Sequence, residues 1–356
     1  MGDNHQQSRQ HVVVQEIIGA LRPRREPAAP ALPVRRAIAV GAGPLFIALL
    51  VGIAFIAAFV GALHNPRPVD VPVGVVRGDQ AAESLMAAVR AQGPRLLAVD
   101  FDSRAAADRA LDRHQVYAVL ATGGSGLTLT VASAAGPAAT TVISAILAAQ
   151  RAGVPLAVTD AVPVVTDDQR GVVPFYLAVG LVIGGYFGGI ALSLALGTVP
   201  ATPSRAALRM GGLAVHAALL ALAGVLIVGP ILDIWHRHLP ELFGAGLLLA
   251  WAAALFAVAV QSWLARIGTA LIVLLLVVLG NPGSGGIYSP EFLPGFFRGI
   301  HEWDIPGLGA DLIRSVIYFP DAARSPAVKL AIWCLGSIIV LLAATEVLGR
   351  PRALRR

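Results

Sequence analysis

Few residues of this chain have the types and the spacing that chemistry at a site requires. His236 and His238 flank Arg237, and such a pair of histidines makes a metal site only with further ligands. Asp167 and Asp168 are adjacent carboxylates, but no oxygen-rich calcium loop surrounds them. Both pairs are explained more simply as solvated polar residues. We therefore expect no metal ion and no cofactor in this chain.

The motifs of several enzyme classes are also missing. Lys329 is the only lysine, and no G-x-x-x-x-G-K-[ST] loop exists to bring a lysine to nucleotide phosphates. Cys334 is the only cysteine, so it has no partner for an intrachain disulfide. No G-x-S-x-G nucleophile elbow occurs. The sequence thus predicts that this chain is not an enzyme, and that any ATP it depends on is hydrolysed elsewhere.

The composition is that of a membrane protein. Of the 356 residues, 56% are hydrophobic and only 13% are charged, whereas about 25% of the residues of a soluble domain are charged. The net charge of +6 comes from arginines grouped beside apolar runs, which is the pattern of membrane topology. A basic face with interleaved aromatic residues is absent, so we expect no nucleic-acid partner.

Six apolar runs are candidates for helices that cross the lipid bilayer. A span requires about 20 residues, and the run at 267–280 is the shortest of the six. The predicted fold is therefore an α-helical polytopic membrane protein with six transmembrane helices. The runs cover residues 37–63, 173–196, 208–232, 242–263, 267–280 and 327–348, and the last five form a bundle within 173–350.

Arginine positions predict the orientation of these spans. Arginines precede the first span, and Arg205, Arg209 and Arg266 then fall on cytoplasmic turns. Both termini are predicted to be cytoplasmic, in a bacterial plasma membrane. The N-terminal segment 1–36 contains an amphipathic stretch that favours a helix on the membrane surface over a frayed tail. Residues 351–356 form a basic cytoplasmic tail.

Residues 64–172 have a different character, because charge returns and strand-like and helix-like patterns alternate. This alternation predicts a small α/β extracytoplasmic domain between the first and second spans. Strands are expected at 71–76, 95–101, 116–121, 127–133 and 156–162, with helices at 81–92, from Ser103 to Arg113 and at 137–151.

The segment 283–326 is predicted to lie outside, yet it is apolar and aromatic and is broken by prolines. Two half-length helices, at about 294–303 and 307–318, fit it, and neither is long enough to cross a core of about 30 Å. A re-entrant outer hairpin is one interpretation, with Phe296, Phe297, Trp303 and Pro306 as candidate gate residues. The alternative is an amphipathic loop that rests on the outer leaflet.

The spans themselves contain few polar side chains. His216 and Gln261 are the only strongly polar residues well inside the third and fourth spans, and His216 is expected to form an interhelical hydrogen bond. A proton-driven carrier requires a buried titratable relay, of which the sequence offers almost nothing. The energy for transport should therefore come from elsewhere.

Four segments resemble the ABC-2 type transporter permeases, and within them the branch of YhgE/Pip-like membrane proteins of Gram-positive bacteria. One span, an outer α/β domain and five further spans are the pattern of that family. The abundance of Ala and Arg with a single Lys indicates an actinobacterial source. The matching segments are residues 71–76 (VPVGVV), 158–163 (VTDAVP), 197–209 and 293–319.

The resemblance implies a permease subunit of an ABC-type exporter that moves a lipid-like or amphipathic substrate. Such a permease works as a homodimer, or as a heterodimer with a second permease, together with a separate cytosolic P-loop ATPase. Residues 10–22 and 198–209 would contact that ATPase, with Arg205 and Arg209 as candidate coupling residues. The alternative is a membrane-anchored receptor or scaffold whose outer domain binds a ligand or an envelope protein.

Overall fold

The computed structural model describes residues 33–93, 95–124, 126–150, 153 and 155–349. The predicted surface helix at 10–22, most of the segment 1–36 and the tail 351–356 lie outside the described residues. The chain divides into two units, Met1–Leu49 and Leu50–Arg356. The sheet and all the helices after the first belong to the second unit.

The first helix, α1 (Val34–Leu63), begins three residues before the predicted span. Apart from Arg35 and Arg36 at its start, its sequence consists of glycine and apolar residues, and no carboxylate interrupts it. Its last turns pack Ala58 and Ala62 against Val278, Leu293 and Phe297. The end of this helix is therefore fixed beside the segment that precedes the last helix.

Five strands and three helices follow in the α/β pattern that the sequence predicts. Side-chain caps explain two helix starts, because Asp79 accepts a hydrogen bond from Ala82 N and Ser103 accepts one from Ala106 N. The elements are β1 (Val71–Val76), α2 (Gln80–Arg90), β2 (Leu96–Phe101), α3 (Arg104–Asp112), β3 (Ala118–Gly123), β4 (Gly126–Val131), α4 (Pro137–Gln150) and β5 (Leu156–Asp160).

These strands form one sheet in the order β2-β1-β3-β4-β5. The pairs β1–β2, β1–β3 and β4–β5 are parallel, and only β3–β4 is antiparallel. The short turn between Gly123 and Gly126 permits this hairpin, since Gly126 has a φ of +141° that favours glycine. The predicted strands and helices of this region are thus confirmed, with ends shifted by a few residues.

The core of the sheet domain includes two residues from far along the chain. Phe292 and Phe319 are buried in the same cluster as Val119 and Leu120 of the central strand β3. The predicted boundaries 64–172 are therefore too narrow to contain the whole core, because part of it comes from the later segment.

Two long apolar helices, α5 (Val173–Leu196) and α6 (Pro203–Leu226), form a hairpin. A π-helical turn, Ile227–Ile231, extends α6. Close approach within the bundle depends on Gly185 and Gly189, where an added Cβ would collide with the backbone carbonyls of Ala250 and Ala254 of the next helix.

The next helix, α7 (Leu239–Val273), has a sharp kink at Ala265, whose φ of 48° and ψ of −128° are non-helical. Gln261 Nε2 donates to Thr269 Oγ1 across this kink, at 2.9 Å. The chain continues through a π-helical segment, Leu274–Leu279, into the short α8 (Gly280–Gly283).

Two short helices precede the last long one, as the prolines predict. They are α9 (Gly295–His301) and α10 (Ile305–Tyr318), and the last helix is α11 (Arg324–Leu348). Almost every residue of α10 is buried, and it packs against α5, α7 and α11. The interpretation as an amphipathic loop resting on a leaflet does not describe this buried helix.

Among the described residues, five helices are long and apolar enough to cross a membrane, which together with the α/β region is compatible with a polytopic membrane protein. They cover Leu45–Leu63, Val173–Leu196, Pro203–Ile231, Leu239–Ala265 and Pro320–Leu348. The predicted span at 267–280 corresponds to a shorter apolar helix, Ile267–Gly283, because the kink at Ala265 and the glycines near 283 limit its length.

Candidate functional site

The segment that joins α5 to α6, residues 197–202, forms a fixed bend at one end of the bundle. Gly197 has a φ of +84°, which a residue without a side chain adopts most easily. Thr202 then caps α6 by accepting a hydrogen bond from Arg205 N, at 3.3 Å. We call residues 197–209 the elbow.

Arg209 is buried within the elbow, with 4% of its surface exposed. Its guanidinium donates to the carbonyl oxygens of Gly197, at 2.8 Å, and Thr198, at 3.2 Å. These carbonyls follow the last turn of α5, where helix backbone acceptors are left without partners. Arg209 therefore stabilises the bend and is buried, although the sequence placed it with Arg205 as a contact residue.

Arg205, in contrast, is exposed on the elbow. Together with Leu208, Pro200 and Leu196 it lines an open cavity of about 550 Å³. The last helix also contacts this bend, since Gly349 lies so close to the carbonyls of Pro200 and Ala201 that no side chain would fit there. The elbow thus connects α5, α6 and the end of α11.

The four candidate gate residues lie in different surroundings. Phe296 is 63% exposed and Trp303 is 53% exposed, whereas Phe297 is buried against α1. Pro306 is buried against Gly280, at the start of α8. Adjacent phenylalanines on a helix point to different surroundings, and the pattern of aromatic residues alone did not distinguish them.

A cluster of buried and half-buried charged residues, which the sequence did not predict, lies at the other end of the bundle, outside the five long apolar helices. His301 Nε2 lies 3.1 Å from Asp311 Oδ2, and His301 Nδ1 lies 3.2 Å from the carbonyl oxygen of Gly283. Because both ring nitrogens face acceptors, both must donate, so the ring is an imidazolium ion. We call His301, Asp304, Asp311 and Arg314 the junction cluster.

Arg314 connects the junction cluster to the sheet domain. Its guanidinium donates to the carbonyl oxygens of Ala135 at 2.9 Å, Ala134 at 3.2 Å and Gly171 at 3.4 Å. The arginine is 5% exposed, and a buried guanidinium requires such acceptors to replace water. It therefore holds three backbone carbonyls of the sheet domain and of the link to α5 against α10.

Asp304 caps α10 through Oδ1, which accepts a hydrogen bond from Gly307 N at 3.0 Å. Its other oxygen, Oδ2, is buried and has no hydrogen-bond partner among the described residues. A Cβ at Gly280 would approach this oxygen to 3.2 Å, so the glycine leaves room for the carboxyl group.

These surroundings shift several pKa values. Burial lowers the pKa of His301, but Asp311 and then Asp304 raise it, to a net value of about 9. Burial by itself raises the pKa of Asp311, but the charge and the hydrogen bond of His301 lower this pKa by more. The net pKa of Asp311 therefore lies below its usual range. Burial raises the pKa of Asp304 well above its usual range. The His301–Asp311 pair is therefore ionic at neutral pH.

Two side chains of the sheet domain, those of His114 and Tyr117, contact the later part of the chain near the junction cluster. His114 stacks on Phe319 with 4.8 Å between ring centroids, and burial lowers the pKa of its imidazole to about 4. Tyr117 Oη donates to Glu291 Oε2 at 2.8 Å, and burial raises the pKa of the phenol. The Tyr117 contact joins the sheet domain to the segment before α9, and the His114 contact joins it to the residue after α10.

The spacing within α10 contains a signal that could have revealed the cluster. Asp304, Asp311 and Ser315 are separated by seven and four residues, which places them on one face of a helix. This polar face was hidden because the segment is dominated by apolar and aromatic residues. The expectation of almost no buried titratable groups is therefore wrong for this segment.

Inside the spans the predicted polar contact is confirmed. His216 Nε2 donates to the carbonyl oxygen of Gly184, at 3.0 Å, which joins α6 to α5. Among the described residues, no group of three His, Cys, Asp or Glu side chains has the arrangement of a metal site.

The chain was compared with protein families, curated proteins and solved structures. No protein-family model, no curated protein and no solved structure matches the chain.

Proposed function

We propose that this chain is the membrane-spanning permease subunit of an ABC-type exporter that moves a lipid-like or amphipathic substrate. The elbow is the observation that carries this proposal. It is held by Arg209, it presents Arg205 outward, and it contacts the ends of three long helices. A rigid, exposed surface of this kind suits a partner whose movement must reach the spans.

The proposal includes six crossings with both termini in the cytoplasm. The fifth crossing is Ile267–Gly283, whose 17 residues extend about 25 Å as a helix. It starts at the kink after α7 and ends beside Asp304 and Pro306, near the sheet domain. A helix that runs from the elbow end of the bundle to the sheet-domain end crosses the same layer as the long helices, which supports a fifth crossing.

The energy source in this proposal is a separate cytosolic ATPase. The junction cluster is titratable, but its members are confined to the sheet-domain end, and His216 is bonded to a backbone carbonyl. A proton path along the spans would require further buried titratable groups. A cavity of about 400 Å³ between α5 and α6 has almost purely apolar walls, which supports an amphipathic cargo.

A receptor or scaffold is the second candidate, and the contacts of Arg314 favour it. They fix the sheet domain to α10, so that a ligand on the sheet domain could alter the bundle. A receptor, however, has no need for the rigid basic elbow. The presence or absence of an ATPase partner therefore separates the two functions.

The test is purification of the tagged protein from its native host in mild detergent, followed by mass spectrometry of its partners. We expect a stoichiometric P-loop ATPase. The R205E variant should lose this ATPase and remain folded, because Arg205 is exposed. The R109E variant is the matched control, since Arg109 is exposed on the sheet domain. An ATPase that is absent, or that R205E retains fully, would contradict the proposal.

A further inference from the structure

A polar cavity of about 770 Å³ opens where the sheet domain meets the first turns of α11. The loop after α3 forms one wall, α10 forms another, and the start of the last helix forms the third. The residues with charged or titratable side chains along it are Arg113, His114, Asp311, Asp321, Arg324 and Lys329.

Two of these cations are not paired with a carboxylate. Arg113 lies 3.8 Å from Asp321, and the charge of Asp311 is compensated by His301. Arg324 and Lys329, in contrast, have no carboxylate within 4.0 Å among the described residues. The cavity therefore contains two positive charges that are available to an anion.

Lys329 is held in position by its neighbours. Its Nζ donates to the carbonyl oxygen of Glu302 at 2.9 Å and lies 5.1 Å from the centre of the Trp303 ring. An ammonium group has three donors, so donors remain for a ligand. The Trp303 ring is 53% exposed, and exposed tryptophan rings are typical of the membrane–water interface.

An apolar stripe leads away from the cavity along α11. Val328 lines the cavity, and Ile332, Leu335 and Ile339 follow it at spacings of four, three and four residues. All four side chains are at least 50% exposed. The polar cavity is thus continuous with an apolar surface on a helix long enough to span a membrane.

We propose that this cavity binds the phosphate headgroup of an anionic phospholipid from the leaflet on the sheet-domain side. Arg324 and Lys329 contact the phosphate, and an acyl chain lies along the stripe that starts at Val328. Guanidinium and ammonium groups bind phosphate through charge-assisted hydrogen bonds, and basic pockets between membrane helices bind lipid headgroups. This inference does not depend on transport or on an ATPase.

The test uses the full chain purified in a neutral detergent and incubated with phosphatidylglycerol or with phosphatidylcholine. Native mass spectrometry then counts the lipids that each chain retains. We expect retention of phosphatidylglycerol over phosphatidylcholine, and about tenfold weaker retention in the double variant R324Q/K329Q, because two cations near the headgroup are removed.

The control is the double variant R109Q/R237Q, which loses the same net charge at two exposed arginines outside the cavity. It should retain phosphatidylglycerol as the unmodified chain does. Equal retention of the two lipids, or equal loss in both double variants, would overturn the proposal. A circular-dichroism melt of each variant shows that the comparison is made between folded proteins.

A second measurement locates the lipid. Phosphatidylglycerol with brominated acyl chains should quench the fluorescence of Trp303, so the W303F variant should show less quenching than the unmodified chain. Equal quenching in the two proteins would place the lipid elsewhere and overturn the assignment. Displacement of the lipid by millimolar inorganic phosphate would also overturn it, because the site would then recognise free phosphate.

Discussion

The two ends of α5 are each held by a buried arginine that donates to backbone carbonyls. Arg314 bonds to Gly171 just before this helix and to Ala134 and Ala135 of the sheet domain. Arg209 bonds to Gly197 and Thr198 just after it. The helix between them has 24 residues, which separates the two ends by about 36 Å.

The two arginines differ in the distance along the chain to their partners. Arg209 reaches back 11 and 12 residues, within one turn between two helices. Arg314 reaches back 143 to 180 residues, into another region of the protein. The same chemistry therefore fixes a local bend in one place and joins the sheet domain to the bundle in the other.

Replacement of Arg314 should have the largest effect. R314M leaves three buried carbonyl oxygens without their donor, and unsatisfied buried groups cost roughly 1–3 kcal/mol each. We expect a loss of about 3 kcal/mol in the free energy of unfolding and faster proteolysis between the sheet domain and α5. Denaturation in detergent and limited proteolysis measure these two effects. R109M, at an exposed arginine of the sheet domain, should change neither.

Replacement of Arg209 should have a smaller, local effect. R209M removes the donor of two carbonyl oxygens that lie near the end of the bundle, where water can reach them after a small movement. We expect a loss of about 2 kcal/mol, with proteolysis confined to the elbow. If R209M loosened the sheet domain as much as R314M, the distinction between a local and a long-range contact would be wrong.

The pH dependence of stability should come from the junction cluster, beside which His114 also lies. The raised pKa of His301, about 9, means that its contribution is complete below about pH 6.5 and is lost as the pH rises through 9. Asp311, with a lowered pKa, contributes above its ordinary pKa, and its contribution is lost in acid.

The expected change between neutral and strongly basic pH is about 1–2 kcal/mol, since Asp311 is partly exposed and solvent screens the pair. Melting temperatures at a series of pH values measure it. The H301Q variant keeps a donor for Gly283 but no charge, so its curve should be flatter on the basic side. An equal slope in both proteins would exclude His301 as the source.

The smallest effect on stability is expected at Arg205. This arginine is exposed on the elbow, and its side chain, unlike that of Arg209, donates no hydrogen bond to the described residues of the bend. R205E should change the free energy of unfolding by no more than about 0.5 kcal/mol, whereas the proposed function predicts that it abolishes co-purification of an ATPase. Denaturation of R205E and R209M side by side would separate an exposed contact residue from a structural one.

Much of the architecture could be predicted because it depends on local patterns. Period-two and period-3.6 spacing of apolar residues predicted the five strands and the helices between them, and continuous apolar runs predicted the long helices. The segment 283–326 was predicted as two half-length helices from its prolines, and α9 and α10 are present. Its burial was not predicted, because a lipid-facing and a protein-facing apolar residue look the same in a sequence.

The candidate sites could be predicted only in part. Arg205 and Arg209 are four residues apart on one helix, so sequence spacing could not show that one is exposed and the other is a buried donor. The sequence by itself determined the membrane-spanning class, the α/β pattern and the positions of the helices, since these follow from local hydropathy and capping. The tertiary structure alone decided which charges lie together, because His301, Asp311 and Arg314 meet their partners only when α10 packs between the sheet domain and the bundle.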